Sequence, residues 1–439
     1  MNKQIIKIII IFLFIVSCNG FKPLKDQDPL FGEKKTNKAA EHEKTVIKKL
    51  FRLNPISKKE FNPTLKINLK NSFNTGEENL VNNNGRYNYE KFRNKTLKFK
   101  FSKIDNFNQN EPKIIFYKDD LIFFDKKGTL LRYNNSSKII WKSNIYSKIE
   151  KKIKPFLYLA NNRDVLIVTD DISKYYALNI SNGDLIWSEN NTSPFNSEIK
   201  IYKNKFYVTD SENILHCFSL KDGTKIWSFK TENVLIKSQQ KLSVVISDNI
   251  VYFNNSIGDI TALNADSGKL IWQLPTQNNN VYAQSFSLKS SDLVVDNKTI
   301  FFSNNRNELY SINSKTGLLN WQQQVNSIMR PIIVDDIIFT VSFEGFLVII
   351  EKISGNIIRI TDIFNIFKEK KRLQIYPVGF VVGIKNIYLT TTNGRLLTVN
   401  IQTGKTENVI KIDRSKISKP FVKKGKLFII KDNEIIRFD

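Results

Sequence analysis

Short runs of alternating apolar and polar residues fill most of the chain, and one compound frame of alternation recurs. In its clearest copy the run Asp259-Ile-Thr-Ala-Leu263 is followed by Asn264 and a polar turn that closes on Gly268. A second short run then ends in Trp272. The same frame is found in Tyr176-Ala-Leu-Asn179 with Gly183 and Trp187, and in Cys217-Phe-Ser-Leu220 with Gly223 and Trp227. It returns in Tyr310-Ser-Ile-Asn313 with Gly317 and Trp321. An earlier copy, Leu131-Arg-Tyr-Asn134, leads to Trp141 with Ser137 where the others carry glycine. All five tryptophans occupy this one position, 40 to 49 residues apart, and a fixed period of that size marks a repeat architecture.

Each period divides into four strands. Around Trp272 the expected strands are Leu242–Ile246, Ile250–Phe253, Asp259–Leu263 and Lys269–Trp272, separated by short loops bearing Asn, Asp and Gly as hairpins require. Two further copies lack tryptophan: Phe346–Ile349 with Gly355 has Arg359 in its place, and Leu396–Asn400 with Gly404 has Asn408. The last period stops after Lys426–Ile430 and Glu434–Phe438, one strand short. At the other end Thr96-Leu-Lys-Phe-Lys-Phe101 alternates strictly and has no repeat of its own. Joining the two ends gives eight blades of four strands. Such sheets cannot bury both faces alone, but stacked radially each covers its neighbour. The expectation is an all-β, eight-bladed propeller over residues 95–439, closed by an N-terminal strand in the last blade. Glycine would supply the positive φ of the turn, and tryptophan a flat surface between blades whose N–H reaches a loop carbonyl.

Composition changes this picture little. A hydrophobic fraction of 41% supports a real core, and 32 Phe with 15 Tyr suit strands. The formal charge of +25 comes without a dense basic block, so it reads as lysine spread over solvated strand faces, and no nucleic-acid partner is expected. Two cysteines, Cys18 and Cys217, give no disulfide framework, and two histidines argue against a histidine-built metal or catalytic site. His216 lies within a repeat strand, where a packed imidazole is the expectation. No catalytic residue, cofactor or metal is assigned.

The amino terminus reads differently. Lys3 and Lys7 precede the apolar run Ile8–Val16, too short to span a bilayer, which needs about 20 residues. Residues 1–17 are therefore a signal segment. Ile15-Val-Ser-Cys18 resembles the lipobox of bacterial lipoproteins, which implies cleavage before Cys18 and acylation of that residue. Asn19 in place of aspartate implies the outer membrane as destination. An uncleaved signal anchor is the alternative. Residues 18–94 are polar and Lys/Asn-rich, a tether with a possible short helix over 37–53 that Pro55 stops.

The Ala-Leu-Asn/Asp, Gly, Trp frame resembles the repeat of quinoprotein-type propellers, named for pyrroloquinoline quinone dehydrogenases. That resemblance implies an acidic Ca²⁺ site and adjacent cysteines. The chain has no Cys-Cys pair, and its repeats lack the insertions that build such an active site. The combination of lipobox, linker, closing strand and lean repeats resembles more of the BamB family of outer-membrane assembly lipoproteins, over residues 15–18 and about 82–439. Asn82–Tyr89 is similar to that family's lead-in to the closing strand. The resemblance implies a non-enzymatic scaffold that binds the POTRA domains of BamA and supports delivery of unfolded outer-membrane proteins. It also implies a contact loop of pattern apolar-x-apolar-basic after a tryptophan strand, which here is Val234-Leu-Ile-Lys237 behind Trp227. Val234 and Ile236 would be the anchors, with Lys237 where the family has arginine. Those residues can equally begin the packing of the next blade. The family's acidic pair falls at Ser287 and Lys289, so that part of the contact is absent or rebuilt. A quinone-dependent enzyme and a propeller that binds another envelope component stay open beside this reading.

Overall fold

The computed structural model describes residues 59–70, 82–90, 96–105, 107, 112–231, 241–276 and 288–439. Eight antiparallel four-stranded sheets follow one another along the chain. Blade 1 runs from Ile115–Tyr117 to Ile139–Ser143, blade 2 from Leu157–Asn162 to Leu185–Asn190, and blade 3 from Lys200–Tyr202 to Lys225–Lys230. Blade 4 runs from Val244–Ser247 to Leu270–Leu274, and blade 5 from Val294–Asp296 to Leu319–Gln323. Blade 6 spans Ile332–Val334 to Ile357–Asp362, and blade 7 Pro377–Val382 to Thr406–Lys411. First strands of neighbouring blades approach one another around a central channel, so the sheets form an eight-bladed propeller.

Blade 8 is assembled from both ends of the described body. Phe421–Lys423, Lys426–Ile430 and Glu434–Phe438 supply three strands, and Thr96–Lys100 adds the outermost. Thr96 pairs with Phe438 and Lys100 with Glu434. Phe99, 1% exposed, turns inward against Tyr133 of blade 1, whose hydroxyl donates to the Lys100 carbonyl at 2.6 Å. Alternation thus does what it predicts: Phe99 is buried, while Lys98 and Lys100 stay exposed.

The repeat frame acquires a geometric meaning at the outer strands. In blade 4 Ala262 pairs with Trp272 but Leu263 pairs with Leu270, so Ile271 is an extra residue. The same bulge precedes Trp141, Trp187, Trp227, Trp321, Arg359 and Asn408. A bulge re-aims the side chain beside it. Here it places each indole over the turn glycine of the next blade: Trp141 on Gly183, Trp187 on Gly223, Trp227 on Gly268, Trp272 on Gly317 and Trp321 on Gly355. A Cβ on Gly268 would stand 2.7 Å from the Trp227 ring, so the glycine is needed for the approach as well as for its φ of +71°. Four of the indoles also donate across the interface, Trp141 to Ile180 O, Trp227 to Ala265 O, Trp272 to Ser314 O and Trp321 to Lys352 O, at 2.9–3.2 Å. Trp187 fills the position without that bond.

Arg359 takes over the role in blade 6. It is fully buried, lies with Thr361 against Gly404 and donates to Ile401 O at 2.8 Å, the carbonyl equivalent to those the indoles reach. Its second nitrogen donates to Gln402 O and Leu65 O, at 2.6 and 2.8 Å. Ser137, which stands where later blades have glycine, keeps the left-handed turn with φ of 62°. The blade before it ends in Thr96–Lys100, so no indole demands the space.

Two stretches of the segment read from sequence as a tether are seated on the propeller. Phe61 exchanges backbone hydrogen bonds with Ile360 at the edge of blade 6, and Ile67 is buried and donates its N–H to Gln402 O. Residues 82–90 cross the end of the channel where the first strands finish. Asn82 O accepts from Val295 N in blade 5, Asn84 Oδ1 from Ile333 N in blade 6, and Tyr87 N donates to Val382 O in blade 7. Arg86 ties the two stretches together, donating to Gly383 O, Ile384 O and Lys70 O at 2.7–2.9 Å.

Candidate functional site

Of the residues singled out in the sequence, the tryptophans and glycines occupy the blade interfaces described above. Cys18, the stretch 37–53, Val234, Ile236, Lys237 and Ser287 lie outside the described residues. Lys289 is exposed, and its backbone N–H donates to the Asn305 side chain at 2.8 Å. His216 is packed as expected: 2% exposed, with Nε2 at 2.8 Å from Asp210 Oδ2 and its ring stacked on Phe218. Cys217 is a buried free thiol, pushed up to about 12 chiefly by burial. Among the described residues no three His, Cys, Asp or Glu side chains come together as metal ligands.

The described chemistry concentrates in the channel. Residues two positions ahead of the first strand point charges inward in five blades: Lys113, Glu198, Asp292, Arg330 and Lys419. Lys200 and Lys241 join them from blades 3 and 4. Glu198 is the hub, 2.9 Å from Lys241, 3.6 Å from Lys200, 3.8 Å from Lys113 and 3.9 Å from Lys419. Asp292 lies 3.5 Å from Lys241. Burial opposes ionisation of Glu198, but the surrounding lysines override it and hold the carboxyl well below its ordinary range. Asp292 is lowered by the same contest, with burial against it and Lys241 foremost among the cations. Lys200, 3% exposed, is pushed down to about 7 by burial despite its attraction to Glu198. Burial also lowers Lys113 and Lys419. The +25 charge is therefore not all on solvated faces, since part of it converges inside the ring.

The fold and this arrangement can be set beside known proteins. A family model described as outer membrane protein assembly factor BamB matches residues 126–361, more than half of the chain. The chain belongs to that family. Among solved structures, BamB from Moraxella catarrhalis superposes with a TM-score of 0.62 at 14% identity, covering 78% of this chain and all of that one. The computationally designed Ika8 protein gives 0.59 at 11% identity, over 77% of this chain and 99% of that one. A quinohemoprotein alcohol dehydrogenase, ADHIIG from Pseudomonas putida HK5, gives 0.55 at 10% identity, over 77% of this chain and 75% of that one. At such identities the likeness concerns the fold. Comparison with curated protein sequences returned no match.

Channel charge escapes a linear reading because its members sit one or two to a blade, and successive blades are tens of residues apart. The signal that finds five of them is register: Lys113, Glu198, Asp292, Arg330 and Lys419 each stand two positions ahead of their first strand.

Proposed function

We propose that the protein is a non-enzymatic scaffold lipoprotein of the outer-membrane β-barrel assembly complex, working at the periplasmic face of that membrane. The observation that carries this reading is the match of residues 126–361 to the BamB family model, on a chain whose repeats close into the ring. In this reading Cys18 carries the lipid, and the propeller binds the POTRA domains of BamA and supports assembly of outer-membrane proteins. Val234 and Ile236 bury against the partner, and Lys237 supplies a cation at the rim of the contact. Lysine lacks the planar fork of arginine, so its contribution is a point charge.

Tagged protein captured from solubilised outer membrane should bring BamA with it. Capture of other envelope proteins without BamA would overturn the proposal. Replacing Val234, Ile236 and Lys237 together by alanine removes two apolar anchors and a charge, and should weaken capture by roughly tenfold or more. Thermal unfolding of that variant should match wild type, which separates loss of contact from loss of fold.

A further inference from the structure

The scaffold reading makes no use of the charged ring in the channel. Five cations, Lys113, Lys200, Lys241, Arg330 and Lys419, face two carboxylates, Glu198 and Asp292. Lys113, Lys200, Arg330, Lys419 and Glu198 line a cavity of about 70 Å³, and Lys241 and Asp292 stand beside Glu198 and each other. At one end the cavity is closed by the crossing segment, where Asn83 and Tyr87 line it and the Lys200 ammonium donates to the Asn83 side-chain oxygen. Lys113, Glu198, Lys241, Asp292 and Lys419 retain 16–20% of their side-chain exposure, so solvent reaches them. The cavity is thus covered on one side by Asn83 and Tyr87, and its cationic lining is still reached by solvent.

We propose that this ring binds a small, multiply charged oxyanion of the phosphate class. Among these seven described side chains the formal surplus is three positive charges, set in a low-dielectric wall where like charges repel strongly and an entering anion is favoured. Glu198 and Asp292 hold the lysines in place. Arg330 has no ion-pair partner among the described residues, yet it is close enough to disfavour ionisation of Lys113, Lys200 and Lys419. Lysine ammonium groups suit phosphate as point charges, and a guanidinium adds a two-pronged donor. Size agrees with this class: a cavity of about 70 Å³ suits a small oxyanion better than a folded peptide.

The test uses the full chain and inorganic phosphate, with glycerol phosphate as a second arm and chloride at matched ionic strength as the reference. Calorimetry and thermal unfolding should both give saturable phosphate binding that chloride does not reproduce. Response to both phosphates would assign the site to an esterified group such as a headgroup; response to inorganic phosphate alone would assign it to the free ion. Arg330→Gln and Lys419→Gln should each lower the affinity at least tenfold, while Lys142→Gln on the outer strand of blade 1 should not change it. Should Lys419→Gln fail to fold, half-buried Arg330 still provides the decisive variant. Absence of saturable binding, or full affinity in Arg330→Gln, would overturn the proposal. Neither result bears on capture of BamA.

Discussion

Substituting Gly355 by alanine tests whether the tryptophan-on-glycine contact specifies the ring. The added Cβ would stand 2.5 Å from Trp321 Cδ2 and 2.7 Å from its Cε3, at a φ of +75°. Carbon contacts relax at about 3.5–4.0 Å, so the indole must withdraw by roughly 1 Å. Retreat would strain its 3.0 Å hydrogen bond to Lys352 O and its packing near Phe301. The left-handed backbone costs about 1–2 kcal/mol for a residue with a Cβ. Overpacking adds about 1–3 kcal/mol. Their sum, about 2–5 kcal/mol, should appear as a lower urea midpoint with an unchanged slope, followed by tryptophan fluorescence. Repeating the change in a Trp321→Leu background isolates the contact: with the indole gone, only the backbone part should persist, about 1–2 kcal/mol. Ser137 is the natural control. It holds φ of 62° with no tryptophan strand in the preceding blade, so Ser137→Gly should stabilise by about 1 kcal/mol. An equal cost of Gly355→Ala with and without Trp321 would refute the reasoning.

Two further outcomes follow from buried polar groups. Arg359→Ala removes the side-chain donor from the carbonyls of Leu65, Ile401 and Gln402, of which Gln402 keeps the Ile67 N–H, and should destabilise by about 3 kcal/mol or more. Arg359→Trp should recover the inter-blade bond while still releasing residues 59–70, read as faster amide exchange confined to that stretch. Asp170 is buried and accepts from the Tyr146 hydroxyl at 2.6 Å and from the backbone N–H groups of Ile172 and Lys174; burial pushes its carboxyl up to about 6 despite these hydrogen bonds. A folded-state pKa above the unfolded value of about 3.9 means that the folded chain binds the extra proton. The contribution is complete below about pH 4 and is lost as pH rises through 6. Urea titrations across that window should show the decline, and Asp170→Asn should flatten it.

Blade number and closure were legible because both are written in residues with one solution. Trp272 behind Gly268 fits a bulged outer strand and little else, and the orphan strand at Thr96 has a vacancy at Phe438. Even the substitution at Arg359 is read correctly as an equivalent position, though its retention of the carbonyl bond appears only in three dimensions. The seats of residues 59–70 and 82–90 were not legible. Their contacts come from backbone groups and from Asn83, Asn84 and Arg86 reaching carbonyls and a carboxylate, which leaves no hydrophobic period. The channel charges were hidden for a related reason. Lys113 and Lys419 meet around Glu198 because the ring closes, and no local pattern joins positions 306 residues apart.

The closing strand gives the ring a mechanical polarity. Thr96–Lys100 is the outermost strand of blade 8, held to the sheet along one edge, and a pull on the preceding chain would reach it first in a bare propeller. Here the chain is fastened twice before that point, at blade 6 through Phe61 and across blades 5 to 7 through residues 82–90. Load applied from the amino terminus is therefore taken up by three blades of the finished ring before it reaches the seam. The seam then has to resist only thermal fraying, and five residues of pairing, with Phe99 as a buried plug, suffice for that.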